Sequence, residues 1–190
     1  MIPASVLMTA EELLAHPPLH VRSELVRGRL IVREPASWRH GDVAARVLMA
    51  IGNHLAAERK ANGWTSPRGR VVAAETGFTL QRNPDTVRAP DVAYIREDRW
   101  RNLPDQAFAD IAPDLAVEVL SPSDRPGAVR AKAADWLNAG SALVWTIDPA
   151  RRLAHVYRAD GSESECAADQ VLDGEDVIPG LRIHLADMID

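Results

Sequence analysis

Glu118 is a carboxylate in the middle of an otherwise apolar strand, and a charge placed there demands a cation or a set of hydrogen-bond donors. The segment 114–122 reads D-L-A-V-E-V-L-S-P. Leu115, Val117 and Val119 fall on one face and Ala116 and Leu120 on the other, the pattern of a strand covered on both sides. Leaving a charge unpaired in such a place is costly. Asp91 has the same character: it follows Pro90 and opens the strand-like run D-V-A-Y-I. Pro90 suits a strand entrance, where no ladder hydrogen bond is lost. Two strands carrying one acid each can be neighbours in one sheet. Side by side, Asp91 and Glu118 would offer hard oxygen ligands for Mg²⁺ or Mn²⁺, with the backbone carbonyl of Val119 as a third. For Glu118 alone, a buried ion pair with an arginine is the competing explanation.

Lys132 is the third candidate. The stretch S-D-R-P-G-A-V-R-A-K-A-A-D-W-L-N-A-G predicts a helix with Ser123 or Asp124 as N-cap, Pro126 in the first turn and Gly140 as stop. Its apolar stripe is Val129, Ala133, Trp136 and Leu137. Lys132 lies at the edge of that stripe, so its stem can run along the sheet and carry the ammonium toward the end of the Glu118 strand. The chain has twenty Arg and two Lys, Lys60 and Lys132. A compact ammonium suits a point charge or proton donor better than a bidentate fork does.

The elements that must position these residues follow the same logic. Thr9 caps a short helix that ends before Pro17 and Pro18. The hairpin S-E-L-V-R-G-R-L-I-V turns at Arg27 and Gly28. A long helix is expected from about His40 to Lys60, with Val43, Val47, Ile51 and Leu55 as its stripe. Strands are expected at about 69–80, 89–96, 114–120, 143–148 and 153–158. The Lys132 helix joins the third and fourth of these as a crossover between neighbouring strands. Residues 159–176 read as a mobile acidic loop.

Pro90-Asp91, E-V-L-S-P at 118–122, the helix lysine, A-G at 139–140 and the W-T-I-D-P strand end resemble the PD-(D/E)xK nuclease superfamily, and within it the Uma-two family of restriction-endonuclease-type proteins. The resemblance runs from E-L-V-R-G-R-L at 24–30, through His40, to P-G-L-R-I-H-L at 179–185. It departs from the superfamily pattern where the lysine sits two residues after the glutamate, because that position is Leu120; the family moves the lysine to the following helix, which Lys132 fits. The resemblance implies an α/β fold with a restriction-endonuclease-like core, a central mixed β-sheet flanked by helices, and an N-terminal β-hairpin. It implies Asp91 and Glu118 as metal ligands, Lys132 as catalytic cation, and lesser roles near the site for Glu24 and His40. The activity it implies is divalent-metal-dependent hydrolysis of DNA phosphodiester bonds.

Composition sets the outer bounds. With 190 residues, 46% apolar and 26% charged, the chain reads as one globular domain, 1–190. It shows neither a signal-peptide pattern nor an apolar run of spanning length, so a cytoplasmic protein is expected. Cys166 stands alone in a polar stretch, which excludes a disulfide framework and predicts an exposed thiol. The net charge of −5 is unusual for a nucleic-acid binder, whose affinity comes largely from phosphate contacts. Basic charge can be local. Arg22, Arg27, Arg29, Arg33 and Arg39 crowd the hairpin and the helix start, and Arg96, Arg99 and Arg101 follow the Asp91 strand. Either cluster could line a groove beside the acids, or be a solvated face balanced by nearby carboxylates.

Duller explanations stand beside the others. His40 could be a structural histidine satisfied by a carbonyl, Glu24 could pair with a cross-strand arginine, and Glu75 reads as surface. Ser121 and Ser123 lack a nucleophile elbow and read as turn and cap residues. Three function classes remain open: a metal-dependent DNA endonuclease; a catalytically inactive nucleic-acid-binding module of a defence or mobile-element system; and an assembly subunit. A homodimer is compatible with each, since cutting two strands commonly takes a pair.

Overall fold

The computed structural model describes residues 7–19, 21–66 and 68–190, with Arg33 described by its backbone alone. Two sheets carry the architecture. The smaller one is built from β1 (Arg22–Val26), β2 (Arg29–Arg33), β4 (Phe78–Gln81) and β5 (Thr86–Arg88), in the order β2-β1-β5-β4 and antiparallel throughout. The larger one takes β3 (Gly69–Ala73), β6 (Val92–Arg96), β7 (Leu115–Val119), β8 (Leu143–Asp148), β9 (Leu153–Arg158) and β10 (Glu163–Ala167), in the order β10-β9-β8-β7-β6-β3. The short helix α3 (Glu97–Trp100) follows β6; among the described strand pairs of this sheet only β7 and β8 run parallel, joined across helix α4 (Pro126–Asn138) as the crossover predicts. The sheet is therefore mixed and flanked by helices, as expected.

The long helix α2 (Trp38–Ala61) covers one face of the large sheet. Its buried residues are Val43, Val47, Ile51 and Leu55, the stripe read from the sequence, and they pack on Val92, Tyr94, Leu115, Val117 and Trp145. On the other face, Ala133 and Trp136 of α4 pack on Ala93, Ala116 and Val144, with the Phe78 ring edge-on to Trp136 at 6.0 Å and 80°. Every residue of β7 is buried, which is why its sequence lacks the alternation of a one-sided strand. The N-terminal helix α1 (Ala10–Ala15) is closed by the Thr9 capping box with Glu12. In the hairpin turn Arg27 and Gly28 both have positive φ, 50° and 72°, the backbone twist a two-residue hairpin loop needs. A side chain at Gly28 would also collide with Leu7.

Several expectations are corrected. Residues 69–80 are not one strand. The chain turns at Glu75, where φ is 72°, and passes from the large sheet to the small one; Gly77 is needed there because the Phe108 ring lies where a Cβ would be. The strand expected at 89–96 starts at Val92, and the preceding Thr86–Arg88 is a separate strand, β5. Residues 159–176 are not a loop. They hold β10, paired with β9, and β11 (Val171–Asp173), paired with β12 (Arg182–His184). As an edge strand exposed along most of its length, β10 hides its strand character behind polar residues. Cys166 is its inward position and is 6% exposed, so the thiol is buried in the core and burial pushes its pKa up. Neither Ser123 nor Asp124 caps α4. The cap residue is Arg125, and the Asp124 carboxylate instead accepts from the Ser121 amide at 2.7 Å.

Candidate active site

A cleft of about 910 Å³ opens between the two sheets and the start of α4. It is lined by Glu24, His40, Asp91, Glu118 and Lys132, and by the backbone-bearing Val119 beside them. The sequence scattered these residues over more than a hundred positions, and the fold collects them by three devices. Antiparallel pairing of β6 and β7 brings Asp91, just before β6, to the end of β7, where the Val119 amide donates to Asp91 Oδ2 at 2.8 Å. The crossover lays α4 over β7, so that Lys132 reaches back to Glu118. The small sheet contributes Glu24 from β1, which reaches the same lysine.

The contacts form two groups. Lys132 Nζ lies 2.8 Å from Glu118 Oε2 and 3.0 Å from Glu24 Oε1, so one ammonium bridges two buried carboxylates. The other oxygen of Glu118, Oε1, accepts the Trp136 indole N–H at 2.9 Å. Glu24 Oε2 accepts from Arg88 at 2.9 Å, and Arg88 also pairs with Asp135 on α4. In the second group, His40 Nε2 stands 3.2 Å from Asp91 Oδ2.

Electrostatics follow from this crowding. Burial pushes the Glu118 carboxyl up to about 7; Lys132 opposes the rise, while Asp91 and Glu24 add to it. Burial works against the Lys132 ammonium, yet the charges of Glu118 and Glu24 outweigh it and hold its pKa above the usual value. His40 is raised chiefly by its hydrogen bond to Asp91, against the effect of burial. Among the described residues no group of three or more His, Cys, Asp or Glu side chains forms a ready-made metal cage.

A family model described as "Putative restriction endonuclease", Uma2, matches residues 10–186. The chain belongs to the Uma2 family. Membership supports a nuclease role. A search among curated proteins found no match. Among solved structures, the chain is similar to a crystal structure described as a putative nuclease belonging to DUF820 from Anabaena variabilis, with 21% identity, a TM-score of 0.79, and coverage of 96% of this chain and 97% of that one. At that identity the likeness shows the fold, and it agrees with the restriction-endonuclease-like core expected of the Uma2 family.

Sequence reasoning for this Uma2 chain missed Arg88, Asp135 and the polar use of Trp136. By its spacing Trp136 belongs to the apolar stripe, although it lies one turn from Lys132 and a buried indole N–H usually finds an acceptor. Glu24 has the cross-strand arginine expected for it, Arg88, and also the site lysine, a pairing the sequence did not indicate. The arginine clusters fare less well. Arg22 lines the cleft and is 3.5 Å from Glu75, which is exposed as expected. Arg39 is turned to the Ile189 carbonyl at 2.7 Å, Arg27 and Arg29 stand outside the cleft lining, and the Arg33 side chain lies outside the described residues. Arg96, Arg99 and Arg101 pair with Asp114 and Glu97 away from the cleft, so this second cluster is a balanced face and not a groove wall. No described helix is long and apolar enough to cross a membrane.

Proposed function

We propose that the chain is a divalent-metal-dependent endonuclease that hydrolyses phosphodiester bonds of DNA. The observation that carries this reading is the convergence of three carboxylates and one bridging lysine in a single cleft of a Uma2 family chain.

The donors fit a hard cation. Asp91 takes both of its contacts on Oδ2 and keeps Oδ1 without a hydrogen bond among the described residues. Glu118 is held near 7 by burial and by two neighbouring acids, a strain that added positive charge would relieve. Asp91 and Glu118, with the Val119 carbonyl, would hold Mg²⁺ or Mn²⁺, which prefer such oxygen ligands. When bound, the cation would make a water acidic enough to attack and offset charge on the scissile phosphate.

The other tasks fall to side chains of this chain. Lys132 would orient the attacking water and offset the negative charge of the pentacoordinate transition state. Glu24 and Arg88 fix where that ammonium sits. His40 contacts Asp91 Oδ2 from the α2 side, which would leave Oδ1 for the cation.

The test is cleavage of supercoiled plasmid and of single-stranded DNA with Mg²⁺, Mn²⁺ or EDTA, with Asp91→Ala and Lys132→Ala beside the wild type. Metal-dependent nicking that both substitutions remove, in proteins whose circular dichroism is unchanged, is the expected result. Absence of cleavage by the folded wild type with either metal would overturn the nuclease reading and favour a nucleic-acid-binding module.

A further inference from the structure

Thr146 is a buried polar residue of the cleft to which the site described above gives no task. It is 1% exposed, and its Oγ1 has no hydrogen-bond partner among the described residues. Most buried hydroxyls have a partner, and going without one is destabilising. Of the other buried atoms in the same position, Arg88 Nε also belongs to the cleft lining, but its guanidinium is already tied to Glu24 and Asp135; those on Thr79, Trp100, Ser141 and Trp145 belong to residues outside it.

Its place in the sheet is what makes the orphan informative. Thr146 on β8 is the register partner of Glu118 on β7. Paired residues on adjacent strands stand about 4.8 Å apart with side chains on the same face. Two residues earlier on β8, Val144 packs with Ala116 and Trp136, which puts Thr146 on the α4 side with Glu118. Glu118 Oε1 already accepts from Trp136 and Oε2 from Lys132. An ionised carboxylate has about four acceptor positions, so each oxygen keeps one. Polar partners and open cleft volume are the two conditions a bound water needs.

We propose that Thr146 is a positioning residue whose hydroxyl, together with one of the two remaining lone pairs of Glu118, holds a water molecule on the floor of the cleft and leaves the other to the cation. The water site stands on geometry alone; its consequence for rate rests on the nuclease reading above. Held between Glu118 and Thr146 and beside Lys132, such a water is fixed in place for attack on a phosphate or for passing on the proton that attack releases.

The test joins crystal structures of the wild type and Thr146→Val with cleavage kinetics of the wild type, Thr146→Val and Thr146→Ser. Expected are a water within about 3 Å of Thr146 Oγ1 and the Glu118 carboxylate, and its loss in Thr146→Val. The valine variant should lose about ten- to a hundredfold in kcat through misplacement alone, with KM for DNA nearly unchanged. Thr146→Ser, which keeps the hydroxyl, should stay within about threefold of the wild type, an effect that mere packing of the methyl group would not give. A dry wild-type hydroxyl, a fully active Thr146→Val, or a Thr146→Ser as slow as the valine variant would each overturn the proposal. If the wild type cleaves nothing, the nuclease reading fails by itself, and the presence or absence of the water still decides this one.

Discussion

Glu118 carries the tension of the site, and its pH behaviour is the most direct test of it. Its folded-state pKa of about 7 lies above the ordinary 4.5, with burial as the main cause. At a pH below 4.5 the folded and unfolded chains both hold the proton. Between 4.5 and about 7 the unfolded chain releases it first, so stability falls with rising pH, and the loss is complete above 7. Glu118→Gln has no such titration. Denaturant unfolding at about pH 5 and about pH 8 should therefore show a larger drop for the wild type than for the variant. Equal drops would mean that Glu118 is well solvated. The same variant should lose cleavage by about a hundredfold or more while keeping its fold, because the lost charge is used in the transition state; severe unfolding would instead mark Glu118 as a structural ion pair. The burial of this residue was legible in V-E-V, an acid inside an uninterrupted apolar run. Its partner was not, since sequence spacing allows either an arginine or Lys132 to reach it, and only the crossover of α4 over β7 decides for the lysine.

At the level of elements, Arg88 is the tie that the sequence concealed. It sits at the end of a three-residue strand, too short for any periodicity, yet it bonds Glu24 on β1 and Asp135 on α4 while being 8% exposed. Three elements thus meet at one guanidinium, and Lys132 lies one turn before Asp135 on the same helix. Arg88→Met removes the charge at similar length and leaves Glu24 and Asp135 without it. A loss of about 3 kcal/mol is expected from breaking a buried pair on one side, read as a lower denaturant midpoint at unchanged m-value. Cleavage should slow as well, since Glu24 would no longer hold Lys132 in register. A variant within about 0.5 kcal/mol of the wild type would show that the tie contributes nothing, as many exposed pairs do. The elements that were legible, α2, β7 and α4, are those whose apolar pattern is long and regular. Those that were missed are short or polar: β5, β10, β11 and β12, with the break at Glu75 between two strands that read as one. In each case pairing with a neighbour, and not the segment's own pattern, makes the strand.

For the whole molecule the question is how a chain of net charge −5 meets a polyanion. Local basic charge does not answer it. Among the described residues lining the cleft, Glu24, Glu34, Glu75, Asp91, Glu118 and Asp124 face only Arg22, Arg88 and Lys132 and the imidazole of His40, and each of these basic groups stands within ion-pair distance of an acid. Phosphate would therefore be repelled unless mobile cations enter first. This predicts an unusual binding signature. Affinity for a short DNA duplex should depend on a divalent cation such as Ca²⁺, which takes the same oxygen ligands, and should vanish in EDTA. Because few lysines or arginines are free to displace counterions, the plot of log affinity against log salt should have a slope no steeper than about −3. Fluorescence anisotropy at several NaCl concentrations measures both. Binding that survives EDTA with a slope of about −6 or steeper would locate the DNA on a basic surface away from this cleft, and would separate binding from the carboxylate site altogether.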